Sequence, residues 1–156
     1  MILIGIDPGM TGAIGVINTV EKEVKTWDIP TVKARNGKNQ TNIPVLASLM
    51  RIALDLRGSY PNSPPIKLEL VHAMPKQGVT SSFNFGMGYG AIQGVIQTLG
   101  IPMELVTPQK WKKAAGLIGS HKDYARTKAL QLYPDADLAR KKDIGRADAL
   151  LIARYG

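Results

Sequence analysis

The chain of 156 residues contains no cysteine. Disulfides and thiolate metal sites are therefore excluded, and a reducing compartment suits such a sequence. Aromatic residues are scarce, at 6% with only two phenylalanines and two tryptophans. No apolar run reaches the ~18 residues of a membrane span, and "MILIGI" is too short for a signal-peptide core. The expectation is a soluble, cytoplasmic protein with no membrane partner. Acids are few as well: 12 Asp and Glu stand against 20 Lys and Arg, a net charge of +8. That surplus suits a polyanionic partner such as nucleic acid. Its distribution strengthens the reading. Lys33, Arg35, Lys38 and Arg51 lie between Asp28 and Asp55 without one acid among them. From Pro108 to Pro134, Lys110, Lys112, Lys113, Lys122, Arg126 and Lys128 stand against Asp123 alone.

What is present is an ordinary globular composition, 44% hydrophobic, with the length of a single domain spanning 1–156. Residues 1–7 read as a buried strand, 12–20 as its hairpin partner and 23–30 as a third strand closed by Pro30. The polar stretch 31–42 reads as a loop. A helix is expected after Asn42, with Pro44 in its first turn, running to about Arg57 before "GSYPNSPP" breaks it. A strand at 66–71, a loop over "AMPKQGVTSS", a helix at 82–99 and a short strand at 102–107 follow. Helices are expected near 108–115, 120–132 and 146–155. Three strands followed by alternating helices and strands indicate an α/β fold with a mixed sheet.

Within that frame, "GIDPGMTGAIGVI" (5–17) delivers Asp7 at the end of an apolar strand and follows it at once with a glycine-bearing turn. Gly9 and Gly12 allow a tight turn that a phosphate or a metal ion can approach closely. The same residues also suit a plain Asp-Pro-Gly hairpin. Glu69 lies in the apolar run "IKLELV" and Asp148 in the apolar segment "ADALLIA". A carboxylate in such surroundings must be paired, exposed or bound to a cation, because burying it alone is costly. Together the three form a set of hard oxygen donors suited to Mg²⁺ or Mn²⁺, in sites that commonly hold two ions.

Other features carry two readings each. Phe83 and Phe85 suit either stacking on unpaired bases or the core, and Trp27 and Trp111 read as core. Gly86, Gly90 and Gly94 recur every four residues and leave a bare stripe along a helix. Each costs ~1 kcal/mol of helix stability, so close approach by another backbone is the natural compensation. That backbone could belong to the protein's own sheet or to a second copy.

The succession "GIDPGMTGAIGVI", "ELVHAMPKQG", "VTPQKWKKAAGLIGSHKD" and "GRADALLIA" resembles the RuvC-type Holliday-junction resolvases, more closely the phage and organelle branch marked by "VHAMP". The resemblance implies a ribonuclease H-like mixed five-stranded sheet flanked by helices. It further implies a homodimeric, Mg²⁺-dependent endonuclease, with two ions per active site, acting on four-way junctions and other branched DNA. Asp7, Glu69 and Asp148 match its metal-binding acids, and Lys112 and Lys122 its basic residues near the scissile phosphate. Lys122 is expected in the catalytic set, and Lys76, His72, Lys110 and Lys113 join the candidate DNA contacts. One position departs from the pattern. Bacterial members have an acid or histidine three residues before the final aspartate, where this chain has Gly145. Asp143 is five residues before it, about 140° away on a continuous helix, so it could be a fourth ligand only from an entry turn. Its other reading is a helix cap. A non-catalytic branched-DNA-binding module is the first alternative. An actin-like ATPase fragment, which shares the strand-end aspartate, is the second, although such enzymes need a second lobe.

Overall fold

The computed structural model describes every residue except Ser59 and Pro61. Strands β1 (Ile2–Asp7), β2 (Ala13–Asn18) and β3 (Glu23–Asp28) are followed by two short strands, β4 (Thr31–Lys33) and β5 (Asn39–Thr41). Helix α1 (Ile43–Gly58), β6 (Ile66–Glu69), α2 (Val79–Thr98) and β7 (Met103–Val106) come next. Helices α3 (Pro108–Ala114), α4 (Asp123–Leu132) and α5 (Ile144–Tyr155) complete the chain, α5 being preceded by a 3₁₀ turn at Lys141–Asp143.

The main sheet has the order β3-β2-β1-β6-β7. β1, β2 and β3 pair antiparallel, whereas β6 is parallel to both β1 and β7. This is the mixed five-stranded α/β sheet expected. Helices cover both faces, as parallel pairing demands. Ile4, Ile6, Ile14, Val16 and Leu68 form one core with Leu46 and Met50 of α1 and Ile92 and Ile96 of α2. Ile17 and Val106 form the second with Trp111, Ala125, Ala129 and the apolar residues of α5.

The stretch 31–42 is more than a loop. β4 and β5 pair as a separate two-stranded hairpin, with Thr31 opposite Thr41 and Lys33 opposite Asn39. Its strands lack an alternating apolar face, which is why sequence pattern misses them. Helix α2 begins at Val79, earlier than expected, after Gly78, whose missing side chain offers no capping signal. The expected break at 58–65 falls partly on Ser59 and Pro61, outside the described residues.

Helix α5 lies very close to the sheet. Gly5 and Gly15 are cross-strand partners. A methyl group on Gly5 would come within 2.3 Å of the Ala149 carbonyl oxygen and the Ala153 nitrogen, and one on Gly15 within 2.8 Å of the Leu150 nitrogen. The glycine pair is a window through which the helix backbone meets the sheet. Gly145 repeats the device at the helix start, where a methyl group would stand 2.3 Å from the Thr11 carbonyl oxygen. The turn after β1 is thereby clamped against the first turn of α5.

Candidate active site

These contacts decide where the acids stand. Asp7 ends β1, and Ile6 pairs with Leu68 in the parallel ladder, so Asp7 and Glu69 leave neighbouring strands at the same sheet end. Asp148 lies one turn beyond Gly145, on the helix held against the turn that follows Asp7. Asp7 and Asp148 both line a cleft of about 560 Å³, together with Lys112, Lys122, Thr11 and His121.

The electrostatics of the acids are unusual. Burial, reinforced by the charge of Glu69, pushes the Asp7 carboxyl up from 3.8 to about 6. The Gly9 N–H, 3.3 Å from Oδ1, and Lys112 oppose that rise. Burial, followed by repulsion from Asp7 and Glu69, raises Asp148 to about 7 against the pull of Lys112 and Lys122. Among the described residues nothing donates a hydrogen bond to the Asp148 carboxylate. Glu69 is held differently: the Trp111 indole N–H donates to its Oε1 at 2.8 Å. Trp111 is fully buried, as expected of a core residue, but it also anchors an acid. The Lys112 ammonium lies 5.2 Å from the same indole ring. No carboxylate forms an ion pair with Lys112 or Lys122 among the described residues.

Local structure explains how the cations arrive. Thr107 caps α3 by accepting from the Lys110 N–H at 3.2 Å, and Pro108 occupies the first turn. Lys112 then falls on the cleft side, next to Trp111. Gly116 and Gly119 both adopt positive φ, at 72° and 73°, which folds the α3–α4 loop back so that Ser120, His121 and Lys122 line the cleft. Lys142 lines it from the 3₁₀ turn. Thr11, Ser120, His121, Lys142 and the anchoring role of Trp111 lie outside the sequence-based set. Only tertiary folding collects them.

Asp143 does not join the acids. It is 1% exposed and turned toward Arg140, whose Nε and guanidinium NH2 donate at 2.9 and 2.6 Å and whose backbone N–H donates at 2.8 Å. Burial opposes its charge, but the bonds and charge of Arg140, with Arg146 beyond, hold its pKa below the ordinary value. Asp143 therefore closes the 3₁₀ turn and makes no side-chain cap on α5. Arg146 extends the network, bonding Asp28 at 2.6 and 3.1 Å and Asp137 at 2.5 Å. Gly145, just before the helix expected at 146–155, lies in the first turn of α5, and its contact with Thr11 leaves no room for a ligand-bearing side chain.

The remaining expected DNA contacts lie outside the cleft lining. Lys110 pairs with Glu104 at 3.3 Å, and Lys67 pairs with the same carboxylate. Lys113 is exposed on α3, and His72 and Lys76 are exposed on the loop leaving β6 at the same sheet end as the acids. Lys76 holds φ at 66°, a left-handed conformation uncommon for a residue bearing a side chain. Phe83 is 69% exposed, which removes it from the core.

The donor set suits a hard divalent cation. Two largely buried carboxylates carry pKa values raised by burial and by neighbouring acids, Glu69 beside Asp7 and both Asp7 and Glu69 beside Asp148, and a cation would relieve both. Among the described residues no three acid or imidazole side chains are already gathered around one point, so the set is open and not a finished cage.

The class defined by this topology is the ribonuclease H-like fold, with acids presented from the ends of β1 and β6 and from the last helix. The particular fold is that of RuvC. The chain superimposes on Thermus thermophilus RuvC in complex with a Holliday junction substrate, with a TM-score of 0.61 and 16% identity, covering 98% of this chain and 90% of that one. A second Thermus thermophilus RuvC structure matches with a TM-score of 0.60 and 18% identity, covering 98% and 91%. No family model and no curated protein matches the chain by sequence.

Proposed function

We propose that the protein is a Mg²⁺-dependent, structure-selective endonuclease that cuts four-way DNA junctions as a homodimer. The observation that carries this reading is the convergence of Asp7 and Asp148, both with raised pKa values, on one cleft with the unpaired cations Lys112 and Lys122. The RuvC fold supports the choice of DNA junctions as substrate, since one matched RuvC is bound to such a junction.

Asp7, Glu69 and Asp148 would hold the divalent metal, with Mn²⁺ as its natural substitute. When bound, the metal supplies charge neutralisation at the scissile phosphate and lowers the pKa of attacking water. Trp111 would hold the Glu69 carboxylate through its indole N–H. Lys112 and Lys122 attract the phosphate before reaction, and Lys122 stabilises the charge that develops on it. The outer cations hold the junction arms through phosphates without reading base sequence.

Paired nicking on symmetric strands requires two such sites related by a twofold axis. The stripe of Gly86, Gly90 and Gly94 supports a helix contact for that dimer. All three are exposed, and a methyl group on any of them would meet nothing within 4 Å. The protein's own sheet does not approach these glycines, which supports a second copy as their partner.

Incubation with labelled four-way junctions and with linear duplex, with and without Mg²⁺, tests the proposal. Mg²⁺-dependent cutting confined to junctions is expected. Binding to junctions without cutting in any divalent metal would instead assign a non-catalytic branched-DNA-binding module.

A further inference from the structure

The β4–β5 hairpin has no role in the site described so far. It lies outside the main sheet, and nearly all of its residues are exposed. A free two-stranded hairpin is marginal in water. This one is nevertheless built with care. The Asn42 N–H donates to the Pro30 carbonyl at 2.8 Å across its base, and its turn is closed from Ala34 to the Lys38 carbonyl at 2.8 Å. Thr41 sits so close to α2 that a methyl group on Gly88 would lie 3.0 Å from its hydroxyl.

Its position is informative. Asp28 at the end of β3 pairs with Ala13, which pairs with Asp7. The hairpin therefore leaves the sheet two strands from Asp7, roughly 10 Å away at about 4.8 Å per strand, and at the same sheet end. Lys33, Arg35 and Lys38 project from it, and none has a carboxylate partner among the described residues. Between the hairpin and α2 runs a groove of about 330 Å³. Asn36, Lys38, Asn39 and Gln40 line one wall, Phe83 and Asn84 the other.

That combination has a definite chemistry. An exposed phenyl ring offers a stacking face that any base accepts. Side-chain amides offer both donors and acceptors to a base edge. Lys38 in the groove lining, and Lys33 and Arg35 exposed elsewhere on the hairpin, suit phosphates. Duplex bases stack on one another and present no free face, so the fitting ligand is an unstacked nucleotide. A protein partner would leave three cations uncompensated unless it were strongly acidic.

We propose that the groove between the β4–β5 hairpin and α2 is a second nucleic-acid site that receives an unpaired nucleotide, with Phe83 stacking on the base and Lys33, Arg35 and Lys38 on the flanking phosphates. The site deepens the junction-cutting reading and rests on it, because strand exchange at a branch point supplies unpaired bases near a nicking centre.

The test uses the full-length protein without divalent metal. Binding of an oligothymidylate strand, and of a four-way junction carrying the fluorescent base aminopurine at its crossover, is measured over a range of salt. The combined variant Lys33→Ala/Arg35→Ala/Lys38→Ala should lower the slope of log affinity against log salt on the single strand by about two, given ~0.7 per phosphate contact. Phe83→Ala should weaken single-strand binding about tenfold and remove the aminopurine quenching, and Phe83→Tyr should restore both. Sedimentation of each variant accompanies the titrations. If junctions are bound and cut normally but these variants keep wild-type affinity, slope and quenching, the second site is wrong while the nuclease reading stands. If Phe83→Ala separates subunits without changing strand affinity per subunit, the groove is a protein contact and the proposal fails. Absence of any DNA binding by the wild-type protein would overturn both readings together.

Discussion

Two helices in this protein are bordered by glycine, and they use it in opposite ways. At α5 the glycines are filled: Gly5, Gly15 and Gly145 each stand where a methyl group would come within 2.8 Å of backbone. At α2 they are empty: Gly86, Gly90 and Gly94 have nothing within 4 Å. In the first case the missing side chains bring α5 against β1 and β2, and that approach sets Asp148 beside Asp7. In the second the chain bears the helix-weakening effect of three glycines with no internal return. The same residue type thus marks a close contact in one place and an open helix face in another. Only coordinates separate the two, because both patterns read alike in sequence.

The largest expected effect breaks the filled contact. Gly145→Ala drives a methyl group into the Thr11 carbonyl, and relief requires moving either the turn after Asp7 or the helix. A loss of about 3 kcal/mol or more is expected, since backbone cannot yield as a side chain does. Within one protomer Gly90→Ala should do the reverse, stabilising α2 by ~1 kcal/mol, while its methyl group would obstruct the proposed contact with a second copy. Denaturant unfolding of both variants checks the contrast, and equal effects would erase the distinction.

The next effect concerns proton uptake at the acids that α5 assembles. Asp7 and Asp148 have folded pKa values of about 6 and about 7 against an ordinary 3.8. Between those limits the native state holds more protons than the unfolded state, so metal-free stability falls as pH rises through that window. A decline on the order of 2 kcal/mol is expected after allowance for solvent screening. Asp148→Asn should flatten the profile and raise the melting temperature at neutral pH in chelator. Stability that increases with pH across this range would contradict the buried, mutually repelling acids.

A smaller effect separates Asp143 from the acids. Asp143→Asn removes the charge facing Arg140 and should lower stability by about 1–2 kcal/mol, because Arg140 remains solvated. Mn²⁺ affinity, read by titration calorimetry, should stay near wild type. A large loss of metal affinity at unchanged stability would return Asp143 to the ligand set.

Much of the framework was legible before the structure. The apolar alternation of 1–7 and 12–20, the acid inside "IKLELV" and the acid inside "ADALLIA" survive as strand, strand, and two of the three candidate ligands' settings. The hairpin at 31–42 escaped because polar strands carry no period-two signal. Asp143 bonds Arg140 through the 3₁₀ turn, a pairing that its spacing to Asp148 does not reveal. The role of Trp111 was hidden because an indole N–H finds its acceptor across 42 positions. Gly145 stands in the first turn of α5, pressed on the turn at Thr11. The contacts of Trp111 and Gly145 join distant segments, which no local pattern encodes.

The central claim is that α5 delivers Asp148 to a metal-dependent cleavage centre. It is tested most directly by comparing wild-type protein with Asp148→Asn on an intact four-way junction, measuring nicking in Mg²⁺ and binding in its absence. The account predicts paired nicks from the wild type and none from the variant, which should bind the junction at least as tightly because a negative charge has been removed near phosphate. A variant that nicks at the wild-type rate would contradict it.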